Sequence, residues 1–191
     1  MLTQSAEPRF TYGDYRRWHG DDRWELIDGI AFDMSPAPSR VHQDVTFGVA
    51  RQLADALDEG PCRVYVATFD VRLPEGDEAD DEITTVVQPD VSVVCDSEKL
   101  DRSGCRGGPD FILEVGSPRT SARDHHQKRD LYERHGVKEY WIVDPDRRTL
   151  VIHRLDPATG HFAPPVTGAA RGTTGLGLFD GLTIRWRRIF R

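Results

Sequence analysis

Val86-Val87-Gln88-Pro89-Asp90-Val91-Ser92-Val93-Val94-Cys95 and Phe111-Ile112-Leu113-Glu114-Val115-Gly116-Ser117-Pro118 are two apolar runs, each broken by one carboxylate. Short apolar runs bounded by Gly and Pro read as strands. A third segment, Asp124 to Gly136, reads as a helix carrying Lys128, and Val137-Lys138-Glu139-Tyr140-Trp141-Ile142-Val143-Asp144-Pro145 follows it. An ionised carboxylate buried alone costs several kcal/mol, so Asp90 and Glu114 require partners.

Alternation along the Glu114 strand puts Asp110 and Ile112 on the same face as Glu114, with Phe111, Leu113 and Val115 on the other. Lys128 precedes Leu131 and Tyr132 by three and four residues, so all three share a helix face turned toward the sheet. Only Lys99, Lys128 and Lys138 are lysines among 25 basic residues, which makes an inward lysine in this arginine-rich chain notable.

Outward from this centre the chain is strand-rich with two substantial helices. Residues 23–34 read as a hairpin turned by Asp28-Gly29, a dipeptide that accepts positive φ. Val45, Val49, Leu53, Ala56 and Leu57 recur at helical spacing, and Gly60-Pro61 ends that helix. His42 lies in its first turn on the inward face, three residues before Val45. Residues 62–66 and 68–73 read as strands, followed by an acidic loop. Residues 97–108 read as a polar loop, and the Lys128 helix is expected to begin near Ser121 or Arg123. Further strands are expected at 139–143 and 149–155, with edge strands near 161–166 and 182–186. The fold expected is a mixed α/β or α+β sheet flanked by helices, in one domain over residues 11–191 after a flexible arm at 1–10.

A chain of 191 residues with 38% apolar and 30% charged residues is large enough for a proper core. No run approaches the roughly 18 apolar residues of a membrane span, and residues 1–9 hold no apolar signal core, so a cytoplasmic location is expected. Cys62, Cys95 and Cys105 lack metal spacing, and Cys62 and Cys95 read as reduced, buried thiols. The formal charge of −7 opposes a strongly basic nucleic-acid binder. Six acids between Glu75 and Glu82 account for most of it, because removing them takes the charge from −7 to −1. Such a loop reads as a solvated excursion, and a local basic groove elsewhere is not excluded.

Two carboxylates at the ends of neighbouring strands suit Mg²⁺ or Mn²⁺, which take carboxylate and carbonyl oxygens. In that reading Asp90 and Glu114 are ligands, the Val115 backbone carbonyl adds a third, and Lys128 orients a water or neutralises phosphoryl charge. The bland reading makes Asp90 a strand cap and Glu114 the partner of Lys128 or an arginine. Glu25, on the face of Ile27, is either a solvent-facing hairpin acid or an accessory ligand. His42 is either a satisfied cap histidine or a hydrogen-bond partner of a site carboxylate. Tyr132 reads as core. No Gly-rich phosphate loop, Ser/His/Asp signature or zinc spacing is present.

Pro89-Asp90, Glu114-Val115-Gly116-Ser117-Pro118, Asp124, Lys128-Arg129, Leu131-Tyr132-Glu133 and Gly136 to Pro145 resemble the Uma-type family of restriction endonucleases, within the PD-(D/E)XK nuclease superfamily. Glu25 to Gly29, Met34-Ser35-Pro36, His42-Gln43 and Asp70 to Leu73 fit the same resemblance, which covers about Thr11 to Phe190. It implies a restriction-endonuclease-like core and Mg²⁺-dependent hydrolysis of phosphodiester bonds in DNA, with Asp90 and Glu114 as metal ligands. The superfamily's usual lysine position holds Gly116 here, and the resemblance moves that role to Lys128 on the following helix. Cleavage of both strands of a duplex implies a homodimer. The competing readings are a catalytically silent nuclease fold serving binding or assembly, and a phosphoesterase acting on a substrate other than nucleic acid.

Overall fold

The computed structural model describes residues 9–19, 23–34, 37–116 and 123–190. In chain order its elements are α1 (Tyr12–Tyr15), β1 (Trp24–Ile27), β2 (Ile30–Asp33), α2 (Arg40–Leu57), β3 (Arg63–Val66), β4 (Val71–Arg72) and β5 (Val86–Val87). There follow β6 (Val91–Val94), β7 (Leu100–Asp101), β8 (Gly104–Arg106) and β9 (Phe111–Val115). A π-helical stretch at Arg123–Lys128 leads into α3 (Arg129–Arg134). The chain closes with β10 (Glu139–Asp144), β11 (Thr149–Asp156), β12 (His161–Phe162), β13 (Val166–Ala169), β14 (Thr173–Gly175) and β15 (Thr183–Arg185).

Two sheets organise the α+β fold. The larger runs β12-β11-β10-β9-β6-β3, with β13 also paired to β11, and the smaller runs β2-β1-β5-β4-β8-β7. In the larger sheet β9 and β10 are parallel, with Glu114 beside Ile142, and the connection between them passes through α3. β6 and β9 are antiparallel, with Val91 opposite Leu113. The apolar stretch 86–95 therefore divides between sheets. Pro89 has no N–H to give a ladder, so the chain leaves the small sheet after Val87 and joins the large one at Val91.

Alternation along β9 sorts its side chains as the sequence predicts. Phe111, Leu113 and Val115 pack with Val45, Val49 and Leu53 of α2 and with the fully buried Trp141. Ile112 faces the other way, onto Leu131 and Tyr132 of α3 and onto Ile27, Val71 and Val87 of the small sheet. Each fully buried Leu, Ile or Val contributes roughly 1.5–3 kcal/mol, which anchors both faces. The large sheet is thus sandwiched between α2 and a second layer made of α3 and the small sheet.

The Asp28-Gly29 hairpin forms with φ of 52° and 80°, as that dipeptide requires. Residues 1–8 of the expected arm, and the expected helix start at Ser121, lie outside the described residues. Phe10 is anchored: its amide donates to the Gly29 carbonyl at 2.8 Å and its ring meets Trp18 edge-on at 5.2 Å.

Two expectations are corrected. Cys62 and Cys95 are joined in a disulfide rather than reduced, because the β3–β6 register that pairs Arg63 with Val94 sets the two cysteines opposite each other. Cys105 is the buried free thiol, and burial pushes it up to about 11. Residues 97–108 are not a loop throughout, since β7 and β8 form a hairpin that extends the small sheet. Gly104 is required there: its φ is 126°, and a Cβ would lie 2.2 Å from the Asp70 carbonyl oxygen. The acidic segment is solvated as expected, with Glu75, Asp77, Asp81 and Glu82 exposed, and ion pairs also pin it to the fold. Asp80 binds the fully buried Arg72 and takes Arg106 Nε at 2.9 Å, and Glu75 pairs with Arg134 at 2.9 Å.

Candidate active site

The candidate site lies between the two sheets, beside α3. Glu25 comes from β1 of the small sheet, Glu114 from β9 of the large one, and Lys128 from the turn that opens α3. Lys128 Nζ donates to Glu25 Oε1 and to Glu114 Oε1, both at 2.8 Å. All three side chains are buried, with Glu25 completely so. Tyr132 adds a hydroxyl bond to Glu114 Oε1 at 2.9 Å, and the Gln88 amide donates to Glu25 Oε1 at 2.9 Å. The 3,4 spacing of Lys128 and Tyr132 on one face explains why both reach the same carboxylate. A π-helical turn immediately before α3 is a feature often found at functional sites.

Asp90 sits where the continued β6–β9 register places it opposite Glu114. Its Oδ2 accepts the Val115 amide at 2.7 Å and faces His42 Nε2 at 3.2 Å. His42 is presented by the start of α2, where Ser39 Oγ caps the helix by accepting the His42 amide at 3.2 Å. Glu25, Asp90, Glu114, Lys128 and His42 therefore lie in one region, with Glu25 buried rather than solvent-facing and His42 against the Asp90 carboxylate. Val115 reaches Asp90 through its amide. Tyr132 is core and site wall at once. Asp124 is buried in the same region, and the Tyr140 hydroxyl donates to its carbonyl oxygen at 3.1 Å.

The electrostatics follow from crowding acids in a dry space. Burial pushes the Glu114 carboxyl up from 4.5 to about 8; Lys128 opposes this, while Asp90, Asp124 and Glu25 add to it. Burial acts to depress the Lys128 ammonium, but Glu114, Glu25 and Asp124 outweigh it and hold the group protonated. Burial, with Glu114 beside it, likewise keeps the Tyr132 hydroxyl protonated as a donor. One ammonium thus faces several carboxylates, an excess of negative charge that a hard cation or a proton must answer.

The donor chemistry fits such a cation. Glu25 Oε2 is buried with no hydrogen-bond partner, and carboxylate oxygens suit Mg²⁺. Among the described residues no three His, Cys, Asp or Glu side chains are gathered around one point, and Lys128 sits between Glu25 and Glu114. Asp90, Glu114 and Glu25 are the residues that would hold the ion.

The site thus joins acids from neighbouring strands of the two sheets to a lysine from the following helix. The structure resembles one described as "a putative nuclease belonging to DUF820 from Anabaena variabilis ATCC 29413", with a TM-score of 0.71 over 93% of this chain and 94% of that one. The two are 15% identical, so the likeness is one of fold. The family model described as "Uma2: Putative restriction endonuclease" matches residues 12–185, and the chain belongs to that family. No curated protein matches it.

Proposed function

We propose that this protein is a divalent-metal-dependent endonuclease that hydrolyses phosphodiester bonds in DNA. The observation that carries the reading is the meeting of Glu25, Glu114 and Lys128, with Lys128 Nζ 2.8 Å from carboxylates lying 103 and 14 residues away in sequence. Family membership supports a nuclease, and the orphaned Glu25 oxygen supports a cation.

In this reading Asp90 and Glu114 are the metal ligands, joined by the Val115 carbonyl and with Glu25 as accessory. Bound there, Mg²⁺ or Mn²⁺ supplies Lewis acidity toward a phosphate and a more acidic water. Asp90 is held in place by the Val115 amide and His42, so its carboxylate costs little further ordering when it binds. Lys128 stays cationic and sits where it can orient water or offset charge that grows on the phosphoryl oxygens. Tyr132 holds Glu114 through the same oxygen, Oε1, that Lys128 binds.

The test is incubation of purified protein with supercoiled plasmid DNA, RNA, nucleotides and bis-phosphates, each with Mg²⁺, Mn²⁺ or EDTA. Metal-dependent DNA cleavage that disappears in Asp90→Ala and Glu114→Ala is the expected result. Turnover confined to the small phosphate esters assigns the protein to the phosphoesterase reading. A homodimer is proposed with this activity and is checked by sedimentation at working concentration.

One observation favours a second reading, a silent nuclease fold used for binding or assembly. Lys128 already bridges Glu25 and Glu114, which gives each of these two acids a cationic partner without a metal. Absence of cleavage of every substrate, with no Mg²⁺ or Mn²⁺ binding by calorimetry, establishes that reading.

A further inference from the structure

The chain turns several unpaired arginines toward the same end of the large sheet as the acids. β9 and β10 are parallel, so Glu114 and the β10–β11 turn lie at one end. Arg148 occupies that turn, directly before Thr149, which pairs with Asp144 on one side and Ala169 on the other. The last strand pairing of β13 therefore delivers Arg171 to the same rim, where the Ala170 amide donates to the Arg148 carbonyl at 2.8 Å.

The C-terminal segment completes the group. Its Trp186 amide bonds the Gly172 carbonyl at 3.0 Å, next to Arg171. Ile184, Trp186, Ile189 and Phe190 pack against the core below α2, which leaves Arg185, Arg187 and Arg188 exposed between them. The Arg148 guanidinium lies over the Phe190 ring, 5.0 Å from its centre, tying the turn to this segment. Among the described residues none of Arg148, Arg171, Arg185, Arg187 and Arg188 has a carboxylate partner within salt-bridge distance, whereas Arg72, Arg106 and Arg134 are all paired.

In a chain of formal charge −7, six of whose acids cluster at 75–82 beside the other sheet, five guanidinium groups without a carboxylate partner on one rim form a local positive field. From β9 to β11 and β13 is two to three strand spacings, or about 10–15 Å. Successive phosphates on a strand are about 3.4 Å apart along the duplex axis, so one duplex held at the rim can span both patches.

We infer that Arg148, Arg171, Arg185, Arg187 and Arg188 form the docking surface for the phosphate backbone of duplex DNA, beside the candidate active site. The inference rests on the nuclease reading for its choice of ligand. A duplex backbone is favoured over a single strand because Trp186 is buried and Phe190 is half-buried beneath Arg148, which leaves no open ring for base stacking.

The experiment measures fluorescence anisotropy of a labelled 25-base-pair duplex in EDTA from 50 to 200 mM salt. The unaltered protein is compared with an Arg148→Gln/Arg171→Gln/Arg187→Gln/Arg188→Gln variant and with a control, Arg16→Gln/Arg17→Gln. Thermal melting confirms that all three are folded, and Arg187→Gln/Arg188→Gln alone serves if the fourfold variant is not. Each lost phosphate contact lowers the log–log salt slope by about 0.9, so the fourfold variant should lose about three to four units of slope and more than tenfold in affinity. The control should change neither. An unchanged slope in the fourfold variant, an equal loss in the control, or tighter binding of a single strand or of anionic vesicles than of the duplex overturns the inference. Patch-dependent binding without cleavage by the unaltered protein upholds it and sinks the nuclease reading. Cleavage with an unchanged fourfold variant does the reverse.

Discussion

Replacing Lys128 with Met removes the one ammonium from the acid cluster while keeping most of its volume. Lys128 is 3% exposed and makes 2.8 Å bonds to two buried carboxylates. Removing one partner of a buried ion pair costs about 3–5 kcal/mol, because the remaining charge is left without compensation. For a domain of this size each kcal/mol moves Tm by about 2–4 °C, so a drop of about 6–20 °C is expected. Glu25 keeps one donor in the Gln88 amide, which limits the loss.

The cost depends on pH in a stated direction. Burial, with the neighbouring acids, already raises the Glu114 carboxyl from 4.5 to about 8 against the pull of Lys128, and deleting the lysine raises it further. A carboxyl raised on folding favours the fold below its unfolded value and loses that advantage as pH climbs through its folded value. The variant's deficit is therefore smaller at pH 5, where Glu114 carries a proton, than at pH 8. Urea denaturation at both pH values in EDTA, repeated with Mg²⁺, measures it. A cation that replaces the lysine's charge restores part of the deficit at pH 8. A loss below about 1 kcal/mol at pH 8, or a larger loss at pH 5, refutes the account of Lys128 as the charge that holds the cluster together.

Further expectations rest on other contacts. Asp90→Asn keeps an acceptor for the Val115 amide but removes the charge, so cleavage should fall at least a hundredfold while stability changes by no more than about 1 kcal/mol, read by plasmid nicking and urea melts. Cys62→Ser with Cys95→Ser opens a loop of 33 residues' separation, which lowers stability by about 3–4 kcal/mol; urea melts with and without reductant should agree for this variant and differ for the parent. Burial lowers His153 from 6.5 to about 4, so the unfolded chain takes up the proton first and stability is lost as pH falls from about 6.5 toward 4. His153→Phe, with Tyr140 and Phe162 rings beside it, should flatten that acid limb by about 1–2 kcal/mol after allowance for solvent screening.

What could be read locally in the sequence was read correctly. The Asp28-Gly29 turn, the α2 period and the alternation that turns Glu114 away from Leu113 are short-range signals. So is the spacing that puts Lys128 over Tyr132. What depended on pairing between distant segments was not legible. The Cys62–Cys95 bond follows from the β3–β6 register, which no local pattern announces. The β7–β8 hairpin pairs near neighbours and still escaped, because its strands are two and three residues long, too short for alternation to register against a polar background. Glu25 had two readings because a hairpin acid has two faces, and only the small sheet's packing against α3 decides which one is dry.

The step from Gln88 to Asp90 explains why these distant pieces meet. Pro89 ends one ladder and the next begins at Val91, so three residues carry the chain from the small sheet to the large one. Gln88 gives its amide to Glu25 on the near side, and Asp90 receives the Val115 amide on the far side. Gln88 also reaches outward, its side-chain amide donating to Asp70 at 2.8 Å and its oxygen accepting two bonds from Arg23. The crossing is thus clamped from both sheets, and its short length fixes the separation between Glu25 of β1 on one side and Asp90 with Glu114 of β9 on the other. A site built this way draws its precision from two sheets that must both be folded. The acids, costly to bury singly, come together only in the finished structure, where Lys128 or a cation can answer their charge.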